Sequence, residues 1–225
     1  GGYAEKYLNL EPNSIHDLVY KKGEKCLENQ THRFSKYAMT LQNTAYKHKE
    51  NSFNDFKQQR ILTKKYSKMG PGMAVQDINS DQIDDLVISG AKGFPATCIQ
   101  SNEGSEGTIS SIRLDPNKEN HGMLLFDGNN DGLTDLYICN GGNESSREDL
   151  TDYFIPGEKN GGFDLKRSQK YCNKQASSVI TASDFDHDGD LDLFVGSNIV
   201  PGDYGQQPSS TLLINDNGIF IDATV

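Results

Sequence analysis

Ala182-Ser-Asp184-Phe-Asp186-His-Asp188-Gly-Asp190-Leu-Asp192-Leu-Phe-Val195 sets aspartates at five alternating positions and then turns apolar. Short carboxylates at alternate positions of a tight loop point inward together, and Gly189 at the sixth position permits a sharp turn. Ser178-Val-Ile-Thr-Ala182 before the loop and Leu193-Phe-Val195 after it read as strands, because they are short, apolar and rich in β-branched residues. The acidic loop therefore joins two strands.

The same phrase occurs twice upstream, at Asp77-Ile-Asn79-Ser-Asp81-Gln-Ile-Asp-Asp85 and at Asp127-Gly-Asn129-Asn-Asp131-Gly-Leu-Thr-Asp135. First aspartate to first aspartate is 50 residues from Asp77 to Asp127 and 57 from Asp127 to Asp184. A self-similar period of that length marks stacked blades of a repeat architecture. Further strands are predicted at Gly72–Gln76, Leu86–Ser89, Ala96–Gln100, Thr108–Arg113, Thr211–Ile214 and Ile219–Ile221, about four per repeat. The expected fold is all-β: a β-propeller of four-stranded antiparallel blades, with about three complete blades at residues 66–120, 121–175 and 176–225. Ser145 to Glu148 has the form of a capping box opening one short helical turn. Residues 1–65 carry no acidic loop and read as a lead-in segment, an irregular blade or the end of a preceding domain.

Converging carboxylates repel one another unless a cation lies among them, and calcium takes six to eight oxygens at flexible geometry. The third loop offers Asp184, Asp186, Asp188 and Asp192, with the backbone carbonyl of Asp190 at position seven. Its upstream counterparts offer Asp127, Asn129, Asp131 and Asp135 with the carbonyl of Leu133, and Asp77, Asn79, Asp81 and Asp85 with the carbonyl of Ile83. Two to three calcium ions are expected. The first loop ranks lowest because Gln82 stands where the others have Gly132 and Gly189. A helix–loop–helix calcium switch requires a bidentate glutamate at position twelve, where this chain has Ile88, Ile138 and Val195, followed by strand-like text.

The bulk numbers narrow the function. Residues 1–70 carry 13 Lys/Arg against 7 Asp/Glu, whereas residues 71–225 carry 9 against 25, for a net charge of −10. That overall acidity argues against a nucleic-acid partner, because phosphate binding needs a basic field, and none is expected. No apolar run approaches the roughly 20 residues that span a bilayer. Four cysteines, Cys26, Cys98, Cys139 and Cys172, lack zinc-finger spacing, and Cys98 and Cys139 read as small buried thiols in strands. The Gly-Gly beginning and the strand-like end lead to the expectation of further blades or domains in a longer secreted polypeptide.

The acidic loops over residues 70–225 resemble the FG-GAP/VCBS repeat family, whose blades build the propellers of integrin α-subunits and of many bacterial surface proteins. His48-Lys-Glu-Asn-Ser-Phe-Asn-Asp-Phe56, Gly70-Pro-Gly-Met-Ala74, Gly141-Gly-Asn-Glu144 and Val200-Pro-Gly-Asp-Tyr204 resemble phrases of Bacteroidetes VCBS-repeat surface proteins related to the cartilage acidic protein and carrying an ASPIC/UnbV region. The resemblance implies calcium between two blade strands and an extracellular, cell-surface or periplasmic location. It also implies a non-catalytic module that binds a protein or glycan ligand. The alternatives are a polysaccharide-degrading lyase or hydrolase built on a propeller, and a structural spacer. His48 and Glu50 project to one side of an extended chain, a spacing suited to metal or acid–base work, but the sequence identifies no third group and no catalytic residue is assigned. Tyr153, Phe154, Phe163 and Tyr204 are expected in inter-strand loops, either on a binding surface or packed between blades.

Overall fold

Twelve short strands carry the described part of the chain, and each starts or stops where a polar loop of glycine, asparagine and aspartate interrupts an apolar run. The computed structural model describes residues 46–102, 105–147, 150–172 and 175–224. Of the lead-in segment, residues 46–65 fall in the same unit as the blades, Thr44–Val225, and residues 1–45 lie outside the described residues.

The strands form three separate four-stranded antiparallel meanders. Blade one is β1 (Met73–Gln76), β2 (Asp85–Ile88), β3 (Ala96–Asn102) and β4 (Ser105–Ile112). Blade two is β5 (Asn120–Phe126), β6 (Asp135–Asn140), β7 (Thr151–Ile155) and β8 (Gln169–Cys172). Blade three is β9 (Ala176–Ser183), β10 (Asp192–Ile199), β11 (Thr211–Asp216) and β12 (Ile219–Asp222). The first strands lie side by side, β1 against β5 and β5 against β9, as the inner strands of successive blades do. The array is that of propeller blades and does not close into a ring. No helix among the described residues is long and apolar enough to cross a membrane.

Two apolar cores separate the three blades. Val87, Cys98 and Ile112 of blade one meet Met123, Leu125, Leu136, Ile138 and Ile155 of blade two. The other side of blade two, with Phe126, Tyr137, Cys139 and Phe154, meets Leu193, Val195, Leu213 and Phe220 of blade three. Blade two is thus covered on both faces, which is why every residue of β6 is buried and its middle, residues 136–139, reads as a continuous apolar run. The first strands of the end blades alternate instead over most of their length: β1 runs exposed and half-buried in turn, with Met73 and Val75 exposed. Gly122 lets two inner strands approach, since a Cβ there would lie 2.7 Å from the Ser178 carbonyl oxygen.

Cys98 and Cys139 are buried free thiols in these cores, and Cys172 is free and exposed. Tyr153 and Phe154 do not lie in a loop: they belong to β7 and are buried, Phe154 completely. Phe163 is half-buried against the first core, and Tyr204 packs with Leu62, Tyr66 and Ile199. The aromatics therefore pack rather than form one exposed surface. Arg147 begins a helical turn after Ser145, and residues 148–149 of the expected turn lie outside the described residues.

Unforeseen from the sequence was α1 (Asp55–Gln58), a single turn capped by the Asn54 side chain, which accepts from the Phe56 N–H. Asp55 is fully buried and accepts from the backbone N–H groups of Tyr66 and Ser67, each at 3.1 Å, and from the Ser67 hydroxyl. That carboxylate clasps α1 to the chain entering blade one.

Candidate metal centre

All three acidic loops share two left-handed positions. The fourth residue of each, Ser80, Asn130 and His187, is left-handed with φ of 62°, 56° and 65°, and so is the sixth, Gln82, Gly132 and Gly189, at 69°, 80° and 99°. A glycine enters that region freely, whereas Gln82 pays for its Cβ there. The sequence repeat is therefore a repeat of geometry, and the missing glycine in the first loop did not change the turn.

Inside each loop the side chains fold onto the loop's own amides. The carboxylate of Asp77 accepts from the N–H groups of Asp81 and Gln82 at 3.1 and 2.7 Å, and that of Asp127 accepts from Asp131 and Gly132 at 3.1 and 2.9 Å. Asp81, Asp131 and Asp188 each accept from the residue two positions on, Ile83, Leu133 and Asp190, at 2.8 to 2.9 Å. Those bonds orient the position-seven carbonyls and hold the acidic side chains on one side. Asn79 and Asn129 accept from the N–H of Asp81 and Asp131 in the same way, as Asp186 does from Asp188.

The ninth-position aspartates have a further task. Asp85, Asp135 and Asp192 are buried at the first residue of β2, β6 and β10. One oxygen of each accepts from the second loop residue, Ile78, Gly128 or Phe185, at 3.0, 2.9 and 2.7 Å. The other accepts from a neighbouring strand or turn, Ser101, Gly157 or Asn215, at 2.8, 2.7 and 2.8 Å. Each oxygen retains a second lone pair, so the peg can also face a cation. Burial, reinforced by Asp131 and Asp127 against the pull of the two backbone N–H donors, raises the Asp135 carboxyl to about 6. Asp85 shifts upward for the same reasons, burial first.

In the third loop the ligand atoms of Asp184, Asp186 and Asp188 all lie within 4.8 Å of one another. Oδ1 of Asp184 is buried without a hydrogen-bond partner, and the Asp186 carboxyl is raised by desolvation and then by Asp188 and Asp192. An orphaned oxygen beside two crowded carboxylates is the donor set that a hard cation satisfies. The residues fit calcium.

The loops are also tied to one another. Thr134 of the second donates its hydroxyl to the Asp77 carbonyl of the first at 3.2 Å, and Asn130 donates to the Asp190 carboxylate of the third at 2.6 Å. Asn215 adds a bond from β11 to the Gly128 carbonyl at 2.8 Å. Sequence reasoning used only the carbonyl of Asp190. Its buried carboxylate, which also accepts from the Asn217 N–H at 2.7 Å, joins loop to loop.

Away from the acidic loops a second set of ionisable groups lies near His48 and Glu50. His48 Nε2 and Glu50 Oε1 are 2.7 Å apart, and beside them lie Glu119, His121 and Glu144. Burial raises Glu119 to about 8, with Glu50 and Glu144 adding repulsion, and holds His121 down to about 4. Glu144 is likewise raised by burial.

Three four-stranded meanders laid inner strand to inner strand, each with an acidic loop between its first two strands, define a β-propeller module. Residues 127–195, from the first aspartate of the second loop to the strand after the third, match the family model of the FG-GAP-like repeat. No curated protein gives a significant match to the chain.

Proposed function

We propose that this chain is a calcium-braced segment of an extracellular, cell-surface or periplasmic β-propeller that is non-catalytic and binds a protein or glycan ligand. The observation that carries the metal assignment is the third loop: three carboxylates drawn within 4.8 Å and a buried, unpartnered oxygen on Asp184. When bound, calcium supplies charge neutralisation at Asp184, Asp186 and Asp188, with Asp192 and the carbonyl of Asp190 completing the set. Because the loops are hydrogen-bonded to one another across blades, fixing one loop fixes the rim of the array. Two to three ions are proposed, with the first loop the weakest. The partner class and the likeness to Bacteroidetes VCBS-repeat surface proteins rest on the sequence resemblance. Calorimetric titration of the metal-stripped chain with calcium tests the reading. Two or more sites are expected, and Asp186→Asn with Asp188→Asn removes one of them; a stripped chain that takes up no calcium at millimolar concentration overturns it.

A further inference from the structure

An antiparallel sheet with one face in water alternates apolar and polar residues, but blade three is apolar on both sides. In β10 Phe194 stands between the buried Leu193 and Val195, and in β12 Ile219 and Ile221 flank the buried Phe220. Leu193, Val195 and Phe220 point into the core shared with blade two, so Phe194, Ile219 and Ile221 point the other way. Leu212, Ile214 and Val179 lie on that same side: Phe194 pairs with Leu212, Ile214 pairs with Ile221, and a Cβ on Gly196 would lie 2.6 Å from Val179 Cγ1. Val179, Phe194, Ile219 and Ile221 are 49–60% exposed. Strands β9 to β12 contain no Lys or Arg, and their exposed carboxylates are Asp216, at the loop end, and Asp222, which pairs with Leu213 on the covered face.

The offsets of 57 and 50 residues carry Phe194 onto Tyr137 and Val87, and its partner Leu212 corresponds to their partners Phe154 and Cys98. Those four side chains lie in the two cores between blades and are at most 2% exposed. Phe194, half exposed, holds the same position with no covering layer among the described residues. The face nevertheless differs from the two junctions inside the chain. There Gly72 and Gly122 let inner strands close in, since a Cβ would lie 1.8 Å from the His121 carbonyl oxygen and 2.7 Å from that of Ser178. In blade three the same offset puts Val179 at that position, and its branched side chain holds a neighbouring backbone away. Blade one does not offer the opposite half of such a junction either, because Ile88 and Ile99, at the centre of its outer face, are already buried. The open face of blade three suits a surface that meets it side chain to side chain.

We propose that this face of blade three packs against the same face of a second copy of the chain, about a two-fold axis, to form a homodimer. In such a contact each residue type meets its own surroundings on the partner, so a self-packing face must be apolar and free of like charges at its centre. Phe194, Leu212, Ile214 and Ile221 meet that condition, with Asp216 left at the edge. Contiguous exposed apolar surface of this kind marks an interaction site, unlike apolar side chains scattered singly. The contact uses none of the acidic loops and stands whether or not they hold calcium.

The test is sedimentation equilibrium of the full chain in millimolar calcium. The parent is expected to form a reversible dimer and no larger species. Burying a carboxylate in an apolar contact is costly, so Phe194→Glu should weaken the dimer by at least about tenfold, and the Phe194→Glu, Ile221→Glu variant should stay monomeric. Met73→Glu, on the exposed inner strand of blade one, should leave the dimer unchanged. Hydrogen exchange of the parent at high and low concentration should show added protection in β9 to β12 and none in β1 to β4, a readout that needs no variant to fold. A parent that stays monomeric, or a dimer that survives the paired Phe194 and Ile221 substitutions, overturns the proposal. So do an open series of larger assemblies, loss of the dimer in Met73→Glu, or protection arising in β1 to β4, each of which would mean head-to-tail stacking instead.

Discussion

Gln82→Gly isolates the conformational cost that the first acidic loop carries. Gln82 is exposed, holds φ at 69°, and contributes its backbone N–H to Asp77 at 2.7 Å, a bond that glycine keeps. A residue with a Cβ loses about 1–2 kcal/mol in the left-handed region, and glycine returns about 0.5–1 kcal/mol of that through its freer unfolded chain. The variant should therefore be more stable by about 0.5–1 kcal/mol. The reciprocal change is equally clean, because a Cβ added at Gly132 meets no atom within 4 Å, so Gly132→Ala should lose a similar amount through φ alone. Urea unfolding with chelator present, read by tryptophan-independent far-ultraviolet dichroism, measures both; the denaturant midpoint should move in opposite directions at constant slope. Destabilisation by Gln82→Gly, or no loss in Gly132→Ala, would refute the claim that the loops share one left-handed turn.

Two further outcomes follow from the cores. Phe154, completely buried with its ring 5.0 Å from Phe220 and 6.0 Å from Phe126, should cost about 3–5 kcal/mol as Phe154→Ala in chemical denaturation, whereas Phe185→Ala, 64% exposed, should stay within about 0.5 kcal/mol. Asp152 is raised to about 7 by burial, despite bonds from the Asn140 N–H and the Ser177 and Tyr137 hydroxyls. The folded chain thus keeps a proton that the unfolded chain loses near pH 4. The resulting stability is full below that point and disappears as pH rises through about 7, with a slope of at most about 1.4 kcal/mol per pH unit. Asp152→Asn, compared with the parent across pH 5–8 in chelator, should remove that part of the slope.

The strands next to the acidic loops were legible because their residues obey local rules: alternation in β1 and β9, and turn residues at the loop ends. Strand β7 was not, since Tyr153 and Phe154 are covered from opposite sides by two blades, and burial on both faces erases the period of two. Four-residue α1 is too short to show a helical period, and only Asn54 as its cap offered a signal. The loop aspartates could be read from spacing, but not the peg role of Asp85, Asp135 and Asp192, because the amides of Ser101, Gly157 and Asn215 arrive from elsewhere in the chain. The nearness of Glu50 to Glu119 and His121 was invisible for the same reason: long-range packing creates it. The phrases containing His48 and Gly141 were the only sequence hint.

The most direct test of the central claim is thermal unfolding of the chain in millimolar calcium and in excess chelator. A cation bound only by the folded state stabilises it by RT ln(1 + [L]/Kd), about 2.7 kcal/mol per site at a hundredfold excess. A clear calcium-dependent rise in Tm that shrinks in the Asp186→Asn, Asp188→Asn variant is the predicted result; identical melting with calcium and with chelator would contradict calcium-braced loops.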